Sequence, residues 1–124
     1  MTTYEQLLAD CIRWAKEAGR IQLELFRSDR LDIEAKFNDS DVVTNADKAS
    51  EKAIISEIRR AYPEHSVLSE EAGCDKRMND WLWVIDPLDG TTNYSSGLPN
   101  FCVSIGVQHK GQTVVGVVYA PYLG

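Results

Sequence analysis

The chain has 124 residues, of which 44% are apolar and 26% charged, and these ordinary fractions exclude a disordered or low-complexity protein. Its 13 Lys and Arg residues against 19 Asp and Glu residues give a formal net charge of −6, which argues against nucleic acid as a partner, because phosphate backbones need clustered cations. No apolar run is long enough to span a bilayer and the N-terminus lacks a signal-peptide pattern, so the sequence predicts a cytoplasmic protein without a membrane partner.

Helical periodicity dominates the first half of the chain. Thr3 and Gln6 form a capping-box pattern, and the following apolar residues recur at the steps of one helical face: Leu7, Leu8, Cys11, Trp14, Ala15, Ala18, Ile21 and Leu25. Alternation over 31–37 predicts a short strand. A second helix is expected to begin near Thr44 and to end before Pro63. Its apolar face consists of Ala46, Ala49, Ala53, Ile54 and Ile58.

The second half of the chain is rich in strand patterns. Strands are predicted at 66–69, 81–85, 102–108 and 113–119, and Lys110-Gly111 predicts a hairpin between the last two. The polar run 72–80 predicts a flexible loop. Helices followed by strands indicate an α+β fold with one core. Because the chain stops directly after a β-prone strand, we expect a truncated domain with an uncovered sheet edge.

The densest group of polar residues is Asp-Pro-Leu-Asp-Gly-Thr-Thr-Asn at 86–93, directly after an apolar strand. On a tight turn, Asp86 and Asp89 can share one hard cation, and the N–H groups of Gly90 and Thr91 can face an anion beside it. The alternative is that both Asp residues merely form a turn and that Gly90 is a turn glycine. The complete run favours a metal and phosphate site.

Two further acidic groups precede this run. Glu70 and Glu71 follow a predicted strand and point to opposite sides, so only one of them can face a given metal; alternatively, both are solvated charges. Thr44 is expected to cap the second helix and Asp47 to lie in its first turn, which is a sufficient structural explanation for both. Lys36 is an isolated cation, by default a solvated one, that a phosphate site could use.

The remaining reactive residue types are expected to be structural. The two histidines, His65 and His109, have no His or Cys partner at ligand spacing. The cysteines are odd in number and widely spaced, which indicates reduced thiols in a cytosolic protein: Cys11, Cys74 and Cys102. The tryptophans are expected to pack in the core: Trp14, Trp81 and Trp83.

Three motifs in this order resemble the inositol monophosphatase family, which consists of magnesium-dependent, lithium-sensitive phosphatases related to fructose-1,6-bisphosphatase. They are Asp-Val-Val-Thr-Asn-Ala-Asp at 41–47, Ser-Glu-Glu at 69–71 and Trp-Val-Ile-Asp-Pro-Leu-Asp-Gly-Thr-Thr-Asn at 83–93. The resemblance implies that 1–124 is the N-terminal half of a layered α/β/α/β/α fold, with two long helices on a mainly antiparallel sheet. It also implies a missing C-terminal half that supplies a further metal-binding Asp and the residues that select the substrate.

The resemblance implies two or three Mg²⁺ sites. Glu70, Asp86 and the Leu88 carbonyl hold the first ion, Asp86 and Asp89 hold the second, and Glu70 contributes to a weaker third. It also assigns Asp47 and Thr91 to activation of the attacking water. The residues implied for phosphate and substrate binding are Glu70, Leu88, Asp89, Gly90 and Thr91. Supporting positions around them are Lys36, Glu71 and Asn93.

The implied activity is hydrolysis of a small phosphate monoester, inositol 1-phosphate first, by a homodimer. Histidinol phosphate, fructose 1,6-bisphosphate and a phosphoadenosine nucleotide are alternative substrates, and a metal-binding module without turnover is an alternative function. A haloacid-dehalogenase-like mechanism would need Asp-x-Asp-Gly-Thr. Here two residues, Pro87 and Leu88, separate the carboxylates, so the aspartyl-phosphate mechanism does not transfer.

Overall fold

Two long helices and a five-stranded sheet make up most of the structure. The computed structural model describes residues 3–27, 33–35, 42–69, 73–75 and 79–123. In chain order the elements are α1 (Tyr4–Leu25), β1 (Ile33–Ala35), β2 (Val42–Thr44), α2 (Asn45–Ala61), β3 (Ser66–Ser69), β4 (Gly73–Asp75), β5 (Trp81–Asp89), α3 (Thr91–Ser95), β6 (Cys102–His109) and β7 (Gln112–Tyr119). Among the described residues, no helix is both long and apolar enough to cross a membrane.

The main sheet is mostly antiparallel. Its strand order is β4-β3-β5-β6-β7, and the β3–β5 pair is parallel while the other three pairs are antiparallel. β1 and β2 form a separate antiparallel pair. This arrangement confirms the predicted α+β fold with two long helices on a mainly antiparallel sheet.

Helix α1 begins where its sequence predicts. Thr3 is the N-cap, and the capping box with Gln6 is present. The predicted buried face needs one correction, because Leu8 is 42% exposed, whereas Gln22, a polar residue, is fully buried. A helical face is about 100° wide, so the three- and four-residue steps alone do not decide which of two adjacent residues faces the core.

Helix α2 confirms both predicted ends. Thr44 is its N-cap in a second capping box, with Asp47 at the third helical position. The helix ends at Ala61, two residues before Pro63. Its fully buried apolar residues are Ala46, Ile54 and Ile58.

Strand β3 has the predicted bounds, but the predicted loop at 72–80 is wrong in part. β4 lies within that run and pairs with β3, with Ser69 opposite Gly73. A polar composition is compatible with an edge strand, because only one side of such a strand is hydrogen-bonded to the sheet. Of the strand predicted at 31–37, the structure describes Ile33–Ala35. β2 is too short for a strand pattern and was not predicted.

The β6–β7 hairpin confirms the role of Lys110-Gly111. Both residues have positive φ angles, 53° and 82°, as a two-residue turn that matches the twist of a hairpin requires. The two strands extend slightly beyond the predicted 102–108 and 113–119.

The helices cover one face of the sheet, and α1 reaches its far edge. Trp14 of α1 and Trp83 of β5 are buried, with ring centroids 5.4 Å apart, which confirms their predicted place in the core. Gly19 of α1 lies directly against Tyr119 of β7, because a Cβ at Gly19 would lie 2.5 Å from Tyr119 Cε2. The first helix and the last strand therefore approach as closely as a glycine allows.

His65 lies within a column of stacked aromatic rings. Its Nδ1 accepts a 2.9 Å hydrogen bond from Trp83 Nε1, and its ring stacks between Tyr62 and Trp81, at 4.8 and 5.5 Å. Trp81 in turn stacks on His109 at 4.0 Å. Because Nδ1 is the acceptor, this arrangement requires the neutral imidazole.

The protein is expected to lose stability as the pH falls below 6.5. Burial lowers the pKa of His65 from its usual 6.5; Glu64 opposes the shift, and the charge of His109 adds to it. The unfolded state then binds more protons than the folded state, so the free energy of unfolding falls as the pH drops through 6.5 towards the lowered value. Melting temperatures between pH 7.5 and 5.5 measure this loss. It should be smallest in His65→Gln and only partly reduced in His109→Gln, because His109 adds to the lowering of the His65 pKa; equal losses in all three proteins would contradict the assignment.

Candidate active site

A β-bulge at the end of β5 carries the two carboxylates predicted to bind metal. Asp86 lies opposite Ser104 and Asp89 lies opposite Cys102, so three steps on β5 match two steps on β6. In a regular strand, residues three apart point to opposite faces; the extra residue returns Asp89 to the face of Asp86. The predicted tight turn is therefore wrong, but the bulge still places the two carboxylates on the same face of the sheet.

Two backbone carbonyls lie within this bulge, where the ladder is interrupted. The Pro87 carbonyl accepts a 2.5 Å hydrogen bond from Gln22 Nε2, and the Leu88 carbonyl lies 3.1 Å from the Thr91 hydroxyl oxygen. Proline is tolerated inside a sheet at such a bulge because it has no N–H to donate to a ladder. The bulge thus presents the Leu88 carbonyl, a predicted metal ligand, between two carboxylates.

The charge of both carboxylates acts on the thiol of Cys102. Burial raises the pKa of this thiol, and the nearby Asp89 and Asp86 raise it further. The thiol also donates a long, weak hydrogen bond, 3.9 Å, to Asp89 Oδ2. Cys102 was not predicted at the site, since only the cross-strand register reveals it.

The donor set suits a hard cation. Asp86, Asp89 and the Leu88 carbonyl offer only oxygen, which Mg²⁺ prefers, and Mg²⁺ keeps several waters. Across the described ranges, no group of three or more His, Cys, Asp or Glu residues could hold a metal ion. Three of the predicted residues, Lys36, Glu70 and Glu71, lie outside the described residues.

The predicted water-activating pair is in contact. The Thr91 hydroxyl lies 3.0 Å from Asp47 Oδ1, and Asp47 is buried, with 4% of its surface exposed. The other carboxylate oxygen, Oδ2, accepts hydrogen bonds from the Thr44 backbone N–H at 2.8 Å and from the Thr44 hydroxyl at 2.7 Å. One oxygen therefore caps α2 while the other contacts Thr91, so the cap leaves the second oxygen available for the predicted role.

Gly90 lies between the bulge and α3. It is the N-cap of this short, unpredicted helix, with a φ of 87°. An open cavity of about 450 Å³, a size that suits a small molecule, adjoins it and is lined by Asp89, Gly90, Pro99, Asn100, Phe101, Cys102, Ala120 and Leu123. Asn93, a predicted supporting residue, donates a 3.1 Å hydrogen bond to the Asn100 carbonyl and so braces this wall.

Gly90→Ala is expected to destabilise the protein by about 2 kcal/mol or more, because the left-handed conformation and the crowding both oppose a methyl group. An added Cβ would lie 2.7 Å from the Asn100 carbonyl oxygen and 3.3 Å from Phe101 Cα. Urea unfolding measures the loss. Gly116→Ala is the matched control, since a Cβ there meets nothing within 4 Å, and it should stay within about 0.5 kcal/mol. Equal effects of both substitutions would contradict this account.

Sequence comparison assigns nearly the whole chain to one family. The profile of the inositol monophosphatase family matches residues 3–124. A curated relative, "Nus factor SuhB" of Pasteurella multocida, is 50% identical over 93% of this chain and 43% of its own length. The chain thus spans less than half the length of the curated relatives it matches.

Solved structures share the fold. The Thermotoga maritima IMPase has a TM-score of 0.86 and 35% identity, over 95% of this chain and 45% of that one. An IMPase/NADP phosphatase solved with Mg²⁺ and phosphate has a TM-score of 0.84 and 25% identity, over 98% of this chain and 46% of that one. A metal ion and phosphate are thus bound together in that second relative.

Proposed function

Because this chain belongs to the inositol monophosphatase family, we propose that the protein hydrolyses small phosphate monoesters with Mg²⁺. The observation that carries the proposal is the contact between Thr91 and buried Asp47 next to the bulge that presents Asp86 and Asp89. A turn alone would explain the carboxylates of Asp86 and Asp89, but it gives no reason to bury a third carboxylate against a hydroxyl. In this proposal residues 1–124 are the N-terminal half of a cytoplasmic, homodimeric enzyme.

The metal would be held by Asp86, Asp89, the Leu88 carbonyl and Glu70. When bound, Mg²⁺ supplies the positive charge that an acidic site needs to attract a phosphate and stabilises the oxygen that leaves. The family resemblance implies two or three such ions.

The chain's own residues would prepare the attacking water. Thr91 has one hydroxyl hydrogen, and when it is donated to Asp47 Oδ1 the Thr91 oxygen is free to accept a hydrogen from water. Water oriented in this way can attack the phosphorus atom and pass its proton through Thr91 to Asp47. The backbone N–H groups at the start of α3 face the phosphate in this arrangement, because the first N–H groups of a helix have no intrahelical partner. No covalent intermediate forms.

We favour inositol 1-phosphate as the substrate. Asp89 is exposed beside the cavity, and a carboxylate can accept hydrogen bonds from the hydroxyl groups of a polyol. Histidinol phosphate, fructose 1,6-bisphosphate and phosphoadenosine nucleotides remain alternative substrates, because the proposed C-terminal half would select among them.

A second candidate function comes from the name of the Pasteurella relative, a Nus factor. Because this relative is 50% identical to the chain, a role as a Nus factor is the competing proposal. The two separate cleanly: Asp86→Asn should remove hydrolysis and leave a role as a Nus factor unchanged.

The test is phosphate release from the four named substrates by the product of the complete reading frame, with and without Mg²⁺ and with added Li⁺. We expect release that depends on Mg²⁺, is inhibited by Li⁺ and is fastest with inositol 1-phosphate. Residues 1–124 alone should release little phosphate, since two carboxylates at the second metal leave much of its coordination to water. Absence of release from every substrate would overturn the proposal; equal rates with the short chain would show that residues beyond it are dispensable.

A further inference from the structure

Gln22 is a polar residue at a position where the pattern of α1 calls for an apolar one. Its side chain is fully buried. Nε2 donates to the Pro87 carbonyl at 2.5 Å and to Ser50 Oγ at 3.1 Å. Among the described residues, its Oε1 has no hydrogen-bond partner. A buried acceptor without a partner is costly, so the position would be better filled by an apolar residue if packing were its only role.

The partners of Gln22 belong to three different parts of the proposed site. Pro87 lies inside the bulge between the two carboxylates, directly after Asp86. Ser50 is one helical turn after Asp47 on α2, so the two lie on the same side of that helix. The Gln22 backbone carbonyl accepts a 2.7 Å hydrogen bond from the hydroxyl of Tyr94, on the short helix that begins at Thr91.

We infer that Gln22 is a positioning residue, which fixes the metal-binding bulge relative to the Thr91–Asp47 pair. This inference rests on the proposed function. The bulge interrupts the pairing of β5 with β6 at Pro87, and within the described ranges its carbonyl is held by the Gln22 side chain. The side-chain amide of Gln22 contacts both the bulge and α2, and its backbone carbonyl contacts α3. Loss of the amide should let the bulge shift while the sheet remains formed.

The test compares Gln22→Met with the unaltered protein, both expressed from the complete reading frame. Isothermal titration with Mg²⁺ measures the affinity, and phosphate release separates kcat from KM. We expect Mg²⁺ affinity to fall about tenfold or more, as is typical when a group that supports a metal ligand is lost, and kcat to fall with little change in KM. Methionine keeps the length of the side chain, so packing is largely retained.

Two further variants make the test specific. Gln22→Glu keeps the length and can donate to the Pro87 carbonyl only when protonated, so its Mg²⁺ affinity relative to the unaltered protein should rise as the pH falls. Tyr62→Phe is the control. It also removes one hydrogen bond, 2.5 Å to Asp10, but in a part of the molecule that does not touch the bulge. It should lower the melting temperature and leave Mg²⁺ affinity unchanged.

The outcomes separate the inference from the proposed function. If the unaltered protein neither binds Mg²⁺ nor releases phosphate, the proposed function is overturned and the inference with it. If the unaltered protein does both and Gln22→Met binds Mg²⁺ equally well while melting lower, Gln22 is only structural and the inference is overturned. Should Gln22→Met fail to fold, Gln22→Glu decides instead, because it keeps the length of the side chain; a Mg²⁺ affinity that, relative to the unaltered protein, does not change with pH would overturn the inference.

Discussion

Asp86→Asn is expected to remove Mg²⁺-dependent phosphate release almost completely while the protein stays folded. Loss of a group that merely supports a metal ligand costs about 10- to 100-fold, so loss of a carboxylate placed to bind metal directly should lower turnover by more than about 100-fold. Asparagine keeps the shape of the side chain, and the hydrogen bond from Gln22 to the Pro87 carbonyl in the bulge does not involve residue 86. Glu70→Gln should have a similar effect.

The measurement is initial phosphate release over a range of Mg²⁺ concentrations, together with the melting temperature of each variant. Asp80→Asn is the matched control, because it makes the same change at an exposed carboxylate next to the opposite end of β5. It should leave turnover unchanged. Near-normal turnover of Asp86→Asn at saturating Mg²⁺ would refute the assignment of a metal site to the bulge.

Asp47→Asn is expected to lower turnover by about 100-fold or more, as loss of a general base does. The two oxygens of Asp47 have separate roles, one on Thr44 and the other on Thr91. Asparagine can still offer one oxygen to the Thr44 N–H, so the helix cap largely survives. Its amide group then faces Thr91, and it can donate a proton but cannot take one up.

Turnover and melting temperature, measured on the same preparation, distinguish a general base at Asp47 from a residue that only caps the helix. Loss of a cap alone would cost about 1 kcal/mol of stability and little turnover. Gln6→Ala is the matched control, because Gln6 occupies the same capping-box position in α1. It should lower stability slightly and leave turnover unchanged. A loss of stability in Asp47→Asn without a loss of turnover would show that the Thr91 contact is only structural.

Features set by neighbouring residues in the chain were predictable. Thr3 with Gln6 defined the start of α1, Thr44 with Asp47 defined the start of α2, and the Lys110-Gly111 pair defined a hairpin. Each of these depends on hydrogen bonds or φ angles within a few residues, so the sequence contains the whole signal.

Features set by distant partners were not predictable in the same way. The bulge at Asp86–Asp89 exists because β6 pairs in a particular register, and no local pattern states that register. The burial of Gln22 has only a weak signal in the sequence: Gln22 is a polar residue on the same helical face as Ala15, Ala18 and Leu25. The contact of Thr91 with Asp47, 44 positions earlier, was implied only by the family resemblance.

The close approach of Gly19 to Tyr119 has a consequence for biosynthesis. The two residues are separated by about a hundred positions, so the ribosome needs about 5 to 20 s to make the chain between them. Throughout that time the apolar side of α1 lacks the last strands on which it packs, and contacts between such distant positions form slowly. The nascent chain is therefore expected to depend on chaperones at this stage, and a bulkier residue at position 19 would lengthen the delay by hindering the final docking.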